Sequence, residues 1–118
     1  LVMSNPEAFE HALGNLVDNA LKYSPPGETV QVLARKEGEK IRVEVQDHGP
    51  GIASEHHLRI FERFYRVDEG RSRAVGGTGL GLALVKHLCQ AMKADIYVES
   101  TLGQGSCFIL LLPAAEPL

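Results

Sequence analysis

Asn15, Asn19 and Lys22 stand at i, i+4 and i+7, a spacing that sets two amides and an ammonium on one face of a helix. An amide oxygen is a hard ligand of the kind Mg²⁺ accepts, and Mg²⁺ fills the rest of its shell with water and phosphate oxygens. The same row also reads as a solvated helix face, with Asp18 and Lys22 as an i,i+4 ion pair. Asp47 is a second candidate, because it ends an apolar alternation and is followed by His48-Gly49-Pro50-Gly51. A carboxylate in a pocket accepts from an exocyclic amine, as on adenine, and rejects a carbonyl, as on guanine. Glycines beside it would let a flat ring approach the backbone. The plainer reading is a loop with turn glycines, in which His48 is a loop residue. Third, Gly76-Gly77-Thr78-Gly79-Leu80-Gly81-Leu82 opens a helical pattern, so backbone amides and the positive helix end would meet an anion. It lacks the Lys-Ser or Lys-Thr pair of a P-loop, and no βαβ unit surrounds it. Fourth, Arg63, Arg66, Arg71 and Arg73 crowd one polar stretch. Guanidinium groups on a loop suit clamping a phosphate chain, although Glu62, Asp68 and Glu69 nearly balance them.

The elements that must carry these residues are visible in the periodicity. Asn5 is placed to cap a helix, with Pro6 at its first position and Glu7 near its positive end. Phe9, Leu13, Leu16, Val17, Ala20 and Leu21 recur at helical spacing and give it one apolar face. Ser24-Pro25-Pro26-Gly27 stops it. Residues 29–35 alternate, with Val30, Val32 and Ala34 on one side, and Ile41, Val43 and Val45 alternate after the turn Glu37-Gly38-Glu39-Lys40. This predicts a hairpin with one wet face. A short helix is expected over 54–64 and a mobile loop over 66–77. A further helix over 80–93 has Leu82, Val85, Cys89 and Met92 as its apolar stripe. Strands at 95–100 and 106–112 flank a turn through Gly103-Gln104-Gly105, and 114–118 reads as a frayed tail. Helices and antiparallel hairpins in this order point to an α+β, two-layer sandwich.

Composition narrows the function. The chain has 118 residues, 44% of them hydrophobic and 23% charged, as expected of one globular domain. A net charge of −3 removes the electrostatic case for nucleic acid as a partner. Apolar runs such as 108–112 are far shorter than the roughly 20 residues of a membrane span. Leu1-Val2-Met3 leads straight into polar residues, so no secretory signal is expected. Cys89 and Cys107 match no zinc spacing and form no disulfide framework; they read as reduced, packed thiols in the cytoplasm.

Taken together and in order, the motifs carry a family resemblance. The segment from Asn15 through Asn19 and Lys22 to Tyr23-Ser24 resembles the N box of sensor histidine kinases, and Asp47-His48-Gly49-Pro50-Gly51-Ile52 resembles their first glycine box. Ile60-Phe61-Glu62-Arg63-Phe64-Tyr65-Arg66 is similar to the F box, and Gly77-Thr78-Gly79-Leu80-Gly81-Leu82 to the second glycine box. Gly103-Gln104-Gly105-Ser106 with Phe108 resembles the last glycine turn. The resemblance covers about residues 3–113. It implies the Bergerat ATP-binding fold, a mixed, mostly antiparallel sheet with helices on one face.

The resemblance also implies roles. Asn19 would bind Mg²⁺, and Asp47 would accept the adenine amino group, helped by Thr78. Gly49 and Gly51 would admit the base and Ile52 would pack on it. Lys22 and Tyr23 would face phosphates and nucleotide, and residues 62–77 would form the ATP lid, with Arg66 and Arg71 reaching phosphates. Gly79 and Gly81, with Leu80 and Leu82, would begin the helix that cradles them. Gyrase-type and chaperone-type relatives carry a water-activating glutamate where this chain has Asn15, which cannot act as a base. That favours phosphoryl transfer over hydrolysis, with Asn15, Lys22, Arg66 and Arg71 as the catalytic set.

None of His11, His48, His56, His57 and His87 has the flanking context of the family's phosphoacceptor box. The resemblance therefore implies a catalytic half, residues 1–118, whose partner is a dimerising phosphoacceptor domain outside this sequence. The response regulator would be an indirect partner, the isolated domain a monomer, and the parent kinase cytoplasmic or anchored in the inner membrane. The alternative is an anti-sigma-factor-type serine kinase, or a nucleotide-binding regulatory module of the same fold.

Overall fold

The computed structural model describes residues 5–65 and 81–113. Among these, two α-helices, two 3-10 turns and four strands follow one another as α1 (Pro6–Tyr23), β1 (Gln31–Glu37), β2 (Lys40–Asp47), 3-10 turns at Ser54–His56 and Arg59–Phe61, α2 (Gly81–Met92), β3 (Asp95–Thr101) and β4 (Gly105–Pro113). The strands lie in the order β1-β2-β4-β3, and every pairing is antiparallel. Both helices cover one face, α1 packing on β2 and on α2, and α2 on β3. The expected two-layer α+β sandwich is the observed one.

Local chemistry sets the boundaries. The Asn5 side chain accepts from the Ala8 N–H at 3.2 Å, capping α1, with Pro6 in the first turn. Its buried spine is Ala8, Ala12, Leu16 and Ala20, four-residue steps along one face, three of them alanines that let the helix lie close to its neighbours. The expected apolar face is turned slightly: Phe9, Leu13 and Val17 flank the core, and Leu21 is 60% exposed. α2 buries Val85, Cys89 and Met92 as expected, with Leu82 beside them. It ends where Lys93 enters the left-handed region at φ +57 and the Ala94 N–H bonds back to Cys89 O at 2.8 Å.

Two expectations are corrected. Residues 54–64 form two separate 3-10 turns rather than a helix. Neither turn has a side-chain cap, and Glu62 leaves in extended backbone. Ile60 and Phe61 are adjacent and both buried, and they anchor the segment to the core; Phe61 meets Phe108 edge-on at 6.3 Å. The first strand starts at Gln31 and is exposed along its whole length, including Val32 and Leu33. It is the edge strand, and among the described elements its substantial neighbour is β2 alone. Its inward residues therefore reach past the helices instead of under them.

The core centres on β2 and β4. Val43, Val45, Phe108, Leu110 and Leu112 point at the helices, and each such side chain stabilises the fold by about 1.5–3 kcal/mol on burial. The opposite face is closed by polar groups. Ile109 is fully buried there, paired with Glu44 and Tyr97 on either side. Arg42 ties the cover together, donating to Tyr97 Oη at 3.1 Å and to Glu44 Oε1 at 3.3 Å. Cys89 is buried and Cys107 half-buried, both as free thiols. Burial, with nearby carboxylates, pushes each to about 11, so they are inert packed thiols as expected.

Candidate functional site

Three elements converge on Asp47. It ends β2 and is 7% exposed, a carboxylate at the rim of the core. Its Oδ1 accepts two backbone donors, Gly49 N–H at 2.9 Å and Ser106 N–H at 3.2 Å. One comes from its own loop and one from β4, so the carboxylate is fixed between two segments far apart in sequence. Burial raises its pKa above the ordinary carboxylate value. The two backbone donors, and then the nearby His48, oppose that shift.

The loop after Asp47 is held closely. The Ile52 N–H donates to Ser100 Oγ at 2.7 Å, and the Gly103 N–H donates to Pro50 O at 2.8 Å. His57 Nε2 lies 2.8 Å from Ile52 O; a carbonyl only accepts, so Nε2 carries the proton. The Ile52 residue, half-buried, is thus bonded through both its N–H and its C=O. The glycines also have a packing reason that spacing did not show. A Cβ on Gly51, at φ +76, would fall 2.2 Å from Thr101 O, and one on Gly49 would fall 2.8 Å from Tyr23 O and 3.2 Å from Asp47 Oδ1. Protein atoms, mostly backbone, occupy the space their side chains would need. Gly105 obeys the same rule from the other side: at φ +91, its Cβ would fall 2.2 Å from Asp47 O.

The Gly49 contact also locates α1. Tyr23 closes the helix against the loop of Asp47, so the row of Asn15, Asn19 and Lys22 leads along α1 towards that carboxylate. Asn15 and Asn19 are half-buried and Lys22 is exposed. Asn15 Nδ2 donates to His11 O at 2.9 Å, which orients its amide, and Asn15 Oδ1 would lie 3.9 Å from a Cβ on Gly81. The start of α2 therefore stands beside the middle of α1. The Asp18–Lys22 ion pair considered from spacing is not formed: neither residue joins an ion pair among the described residues. Ser24 Oγ, next to Tyr23, is buried without a hydrogen-bond partner.

The structure brings Asp47, Gly49 and Tyr23 together and sets Asn15 beside Gly81; Gly51 and Ile52 lie in the loop after Asp47, Asn19 and Lys22 on α1 between Asn15 and Tyr23, and Leu82 in the first turn of α2. Arg66, Arg71, Thr78, Gly79 and Leu80 lie outside the described residues, as do 66–77 of the expected lid. Residues that spacing did not single out are Ser100 and His57, which hold the loop. No periodicity marks a polar side chain at a strand end as a tether.

A metal would find few protein ligands here. Among the described residues no three His, Cys, Asp or Glu side chains cluster. A cation at this site would rest on one amide oxygen and on oxygens of its own ligand. That donor set suits Mg²⁺, which binds through few protein groups plus phosphates, and does not suit zinc.

Comparison with known proteins places this arrangement. The profile described as histidine kinase-, DNA gyrase B-, and HSP90-like ATPase matches residues 4–116. The sensor-like histidine kinase SenX3 of Mycobacterium tuberculosis is 52% identical over 113 residues, 96% of this chain and 28% of that protein. The chain thus spans under a third of the length of such curated relatives. Among solved structures, the mycobacterial sensor histidine kinase MprB superposes with a TM-score of 0.78 at 31% identity, covering 90% of this chain and 70% of that one. Full-length ShkA, solved in complex with AMPPNP, superposes at 0.76 with 35% identity over 94% of this chain and 23% of its own. No helix among the described residues is long and apolar enough to cross a membrane. The chain belongs to the histidine kinase-, DNA gyrase B- and HSP90-like ATPase family, on its sensor histidine kinase branch.

Proposed function

We propose that this domain binds Mg-ATP and passes the γ-phosphoryl group to a histidine on a separate, dimerising phosphoacceptor domain of the same kinase. The observation that carries this reading is Asp47: a carboxylate buried at a strand end, with one oxygen held by two backbone N–H groups. Such a group selects a ligand that offers a hydrogen-bond donor, as the adenine amino group does. Ile52 packs on the base. Asn19 supplies the metal-binding amide oxygen, Lys22 and Tyr23 face the phosphates and nucleotide, Gly81 and Leu82 begin α2 beside the phosphate chain, and Thr78, Gly79 and Leu80, which precede them in sequence, contribute to nucleotide binding. Arg66 and Arg71 act as clamps from the lid, residues 62–77. Bound Mg²⁺ supplies charge neutralisation at the phosphate oxygens. The imidazole nitrogen of the acceptor forms the new P–N bond, the bond from the γ-phosphorus to the ADP oxygen breaks, and the imidazole N–H proton leaves to solvent.

Asn15 favours transfer over hydrolysis. Its amide has no basic lone pair to take a proton from water, and its Nδ2 is already committed to the helix carbonyl of His11. The residues 1–118 then act as a catalytic half, monomeric alone, on the cytoplasmic side where ATP is available, with the response regulator served through the phosphorylated acceptor. A ShkA-like nucleotide complex supports the reading by similarity.

Calorimetric titration of the chain with Mg-ATP, with GTP as control and phosphate release followed alongside, tests it. The expected result is saturable ATP binding, no GTP binding and negligible turnover until an acceptor helix pair is added. Rapid phosphate release by the chain alone, or equal affinity for GTP, would overturn it.

A further inference from the structure

Ser100, near the end of β3, faces Ser106 across the β3–β4 ladder. Its hydroxyl sits at a three-way junction. It accepts from the Ile52 N–H at 2.7 Å, donates to Gly105 O at 2.9 Å and lies 2.8 Å from Ser106 Oγ. A hydroxyl has one proton and two lone pairs. With the proton on Gly105 O and one lone pair taken by Ile52, the remaining lone pair accepts from the Ser106 hydroxyl. The capacity of Ser100 is fully used, and the direction of every bond follows.

The far ends of these bonds flank Asp47. Ile52 closes the loop that Asp47 opens, and the backbone N–H of Ser106 holds Asp47 Oδ1 at 3.2 Å. The residue after Ser100 touches the same loop, because Thr101 O fills the space a Gly51 side chain would need. We infer that Ser100 is a positioning residue for base recognition: it joins the two segments that aim the Asp47 carboxylate, without itself touching the nucleotide. This rests on the ATP-binding reading above.

The test separates aim from bulk stability. ATP and purine riboside triphosphate, which lacks the 6-amino group, are titrated with Mg²⁺ into wild type, Ser100→Ala and Ser100→Thr. Asp47 acts only on the amino group, so misaiming it weakens ATP and spares the analogue. For Ser100→Ala the expected result is a rise in the ATP Kd of about tenfold, the scale of one charge-assisted hydrogen bond. The analogue Kd stays within about twofold, and Ser100→Thr restores the discrimination. A Ser100→Ala protein that keeps the wild-type ATP-to-analogue ratio overturns the inference, whether both affinities persist or fall together. If Ser100→Ala does not fold, Ser100→Cys carries the same comparison, being close in size and a poor hydrogen-bonding group. A wild-type chain that binds both nucleotides equally refutes the Asp47 reading itself, and this inference with it, before any variant is made.

Discussion

Gly105→Ala is the substitution that most directly links the fold to the site. Gly105 has φ +91, and a Cβ there would stand 2.2 Å from Asp47 O and 3.1 Å from His48 Cα. Two costs combine. A residue with a Cβ in left-handed backbone costs about 1–2 kcal/mol. Forcing a carbon into a packed backbone costs about 1–3 kcal/mol more, because β2 and β4 cannot separate without breaking the Ser106–Asp47 bond. The loss of about 2–5 kcal/mol is a large part of a stability of about 5–15 kcal/mol. With an unfolding entropy of about 0.25 kcal/mol/K for a domain this long, a loss of ~3 kcal/mol lowers Tm by ~12 °C.

Gly103→Ala is the matched control. It lies in the same turn at φ +81, but its Cβ meets nothing within 4 Å, so only the backbone cost of about 1–2 kcal/mol applies. Thermal unfolding by circular dichroism compares the two. Gly105→Ala is expected to melt at least ~4 °C below Gly103→Ala and to bind ATP more weakly, since Asp47 moves with its own carbonyl. Equal melting points would refute the claim that β4 presses on the Asp47 peptide.

The titration of Asp47 has two consequences of opposite sign. Burial raises its folded pKa above the unfolded 3.8, so the folded state holds the proton more tightly. Its contribution to stability is greatest below the unfolded value and is lost as pH rises through the window up to the folded value. ATP affinity should rise across the same window, as the accepting carboxylate forms, and Asp47→Asn should abolish that rise in a pH-dependent titration. Asn19→Ala should bring ATP affinities measured with Mg²⁺ and with a chelator to within about twofold of each other; an unchanged Mg²⁺ enhancement would remove Asn19 from the metal. Both thiols stand about two units above 9.0, so at neutral pH alkylation should be roughly hundredfold slower than for an unshifted thiol and should accelerate on denaturation. Rapid labelling of the folded chain would contradict that packing.

What the sequence made legible follows from how local the cause is. The Asn5 cap, the α2 stripe and the Glu37–Lys40 turn depend on neighbours within a few residues, and each stands where its pattern placed it. The row Asn15, Asn19, Lys22 and the buried Asp47 were legible for the same reason, being single-element features. The tilt of α1 that exposes Leu21 was hidden, because only the partner surface decides how far an apolar face turns. The exposure of Val32 on β1 was hidden too: alternation shows two faces but not that the helices stop short of the edge strand. Adjacent apolar residues Ile60 and Phe61 suit a helix or a tertiary anchor equally until Phe108 is seen beside them. The glycines were noticed, but the backbone contacts that require them were not visible. Gly51 and Gly105 are required by Thr101 and Asp47, segments distant in sequence, and so was the tether through Ser100.

The most direct test of the central claim is the ATP affinity of Asp47→Asn at neutral pH, measured by calorimetry beside the wild type. Asn presents an amide in place of the carboxylate, and the charge-assisted acceptor is lost. The account predicts an affinity at least about tenfold weaker, with the far-ultraviolet circular dichroism unchanged. A variant that folds and binds ATP as tightly as the wild type would contradict it, and Asp47 would not be the residue that recognises the base.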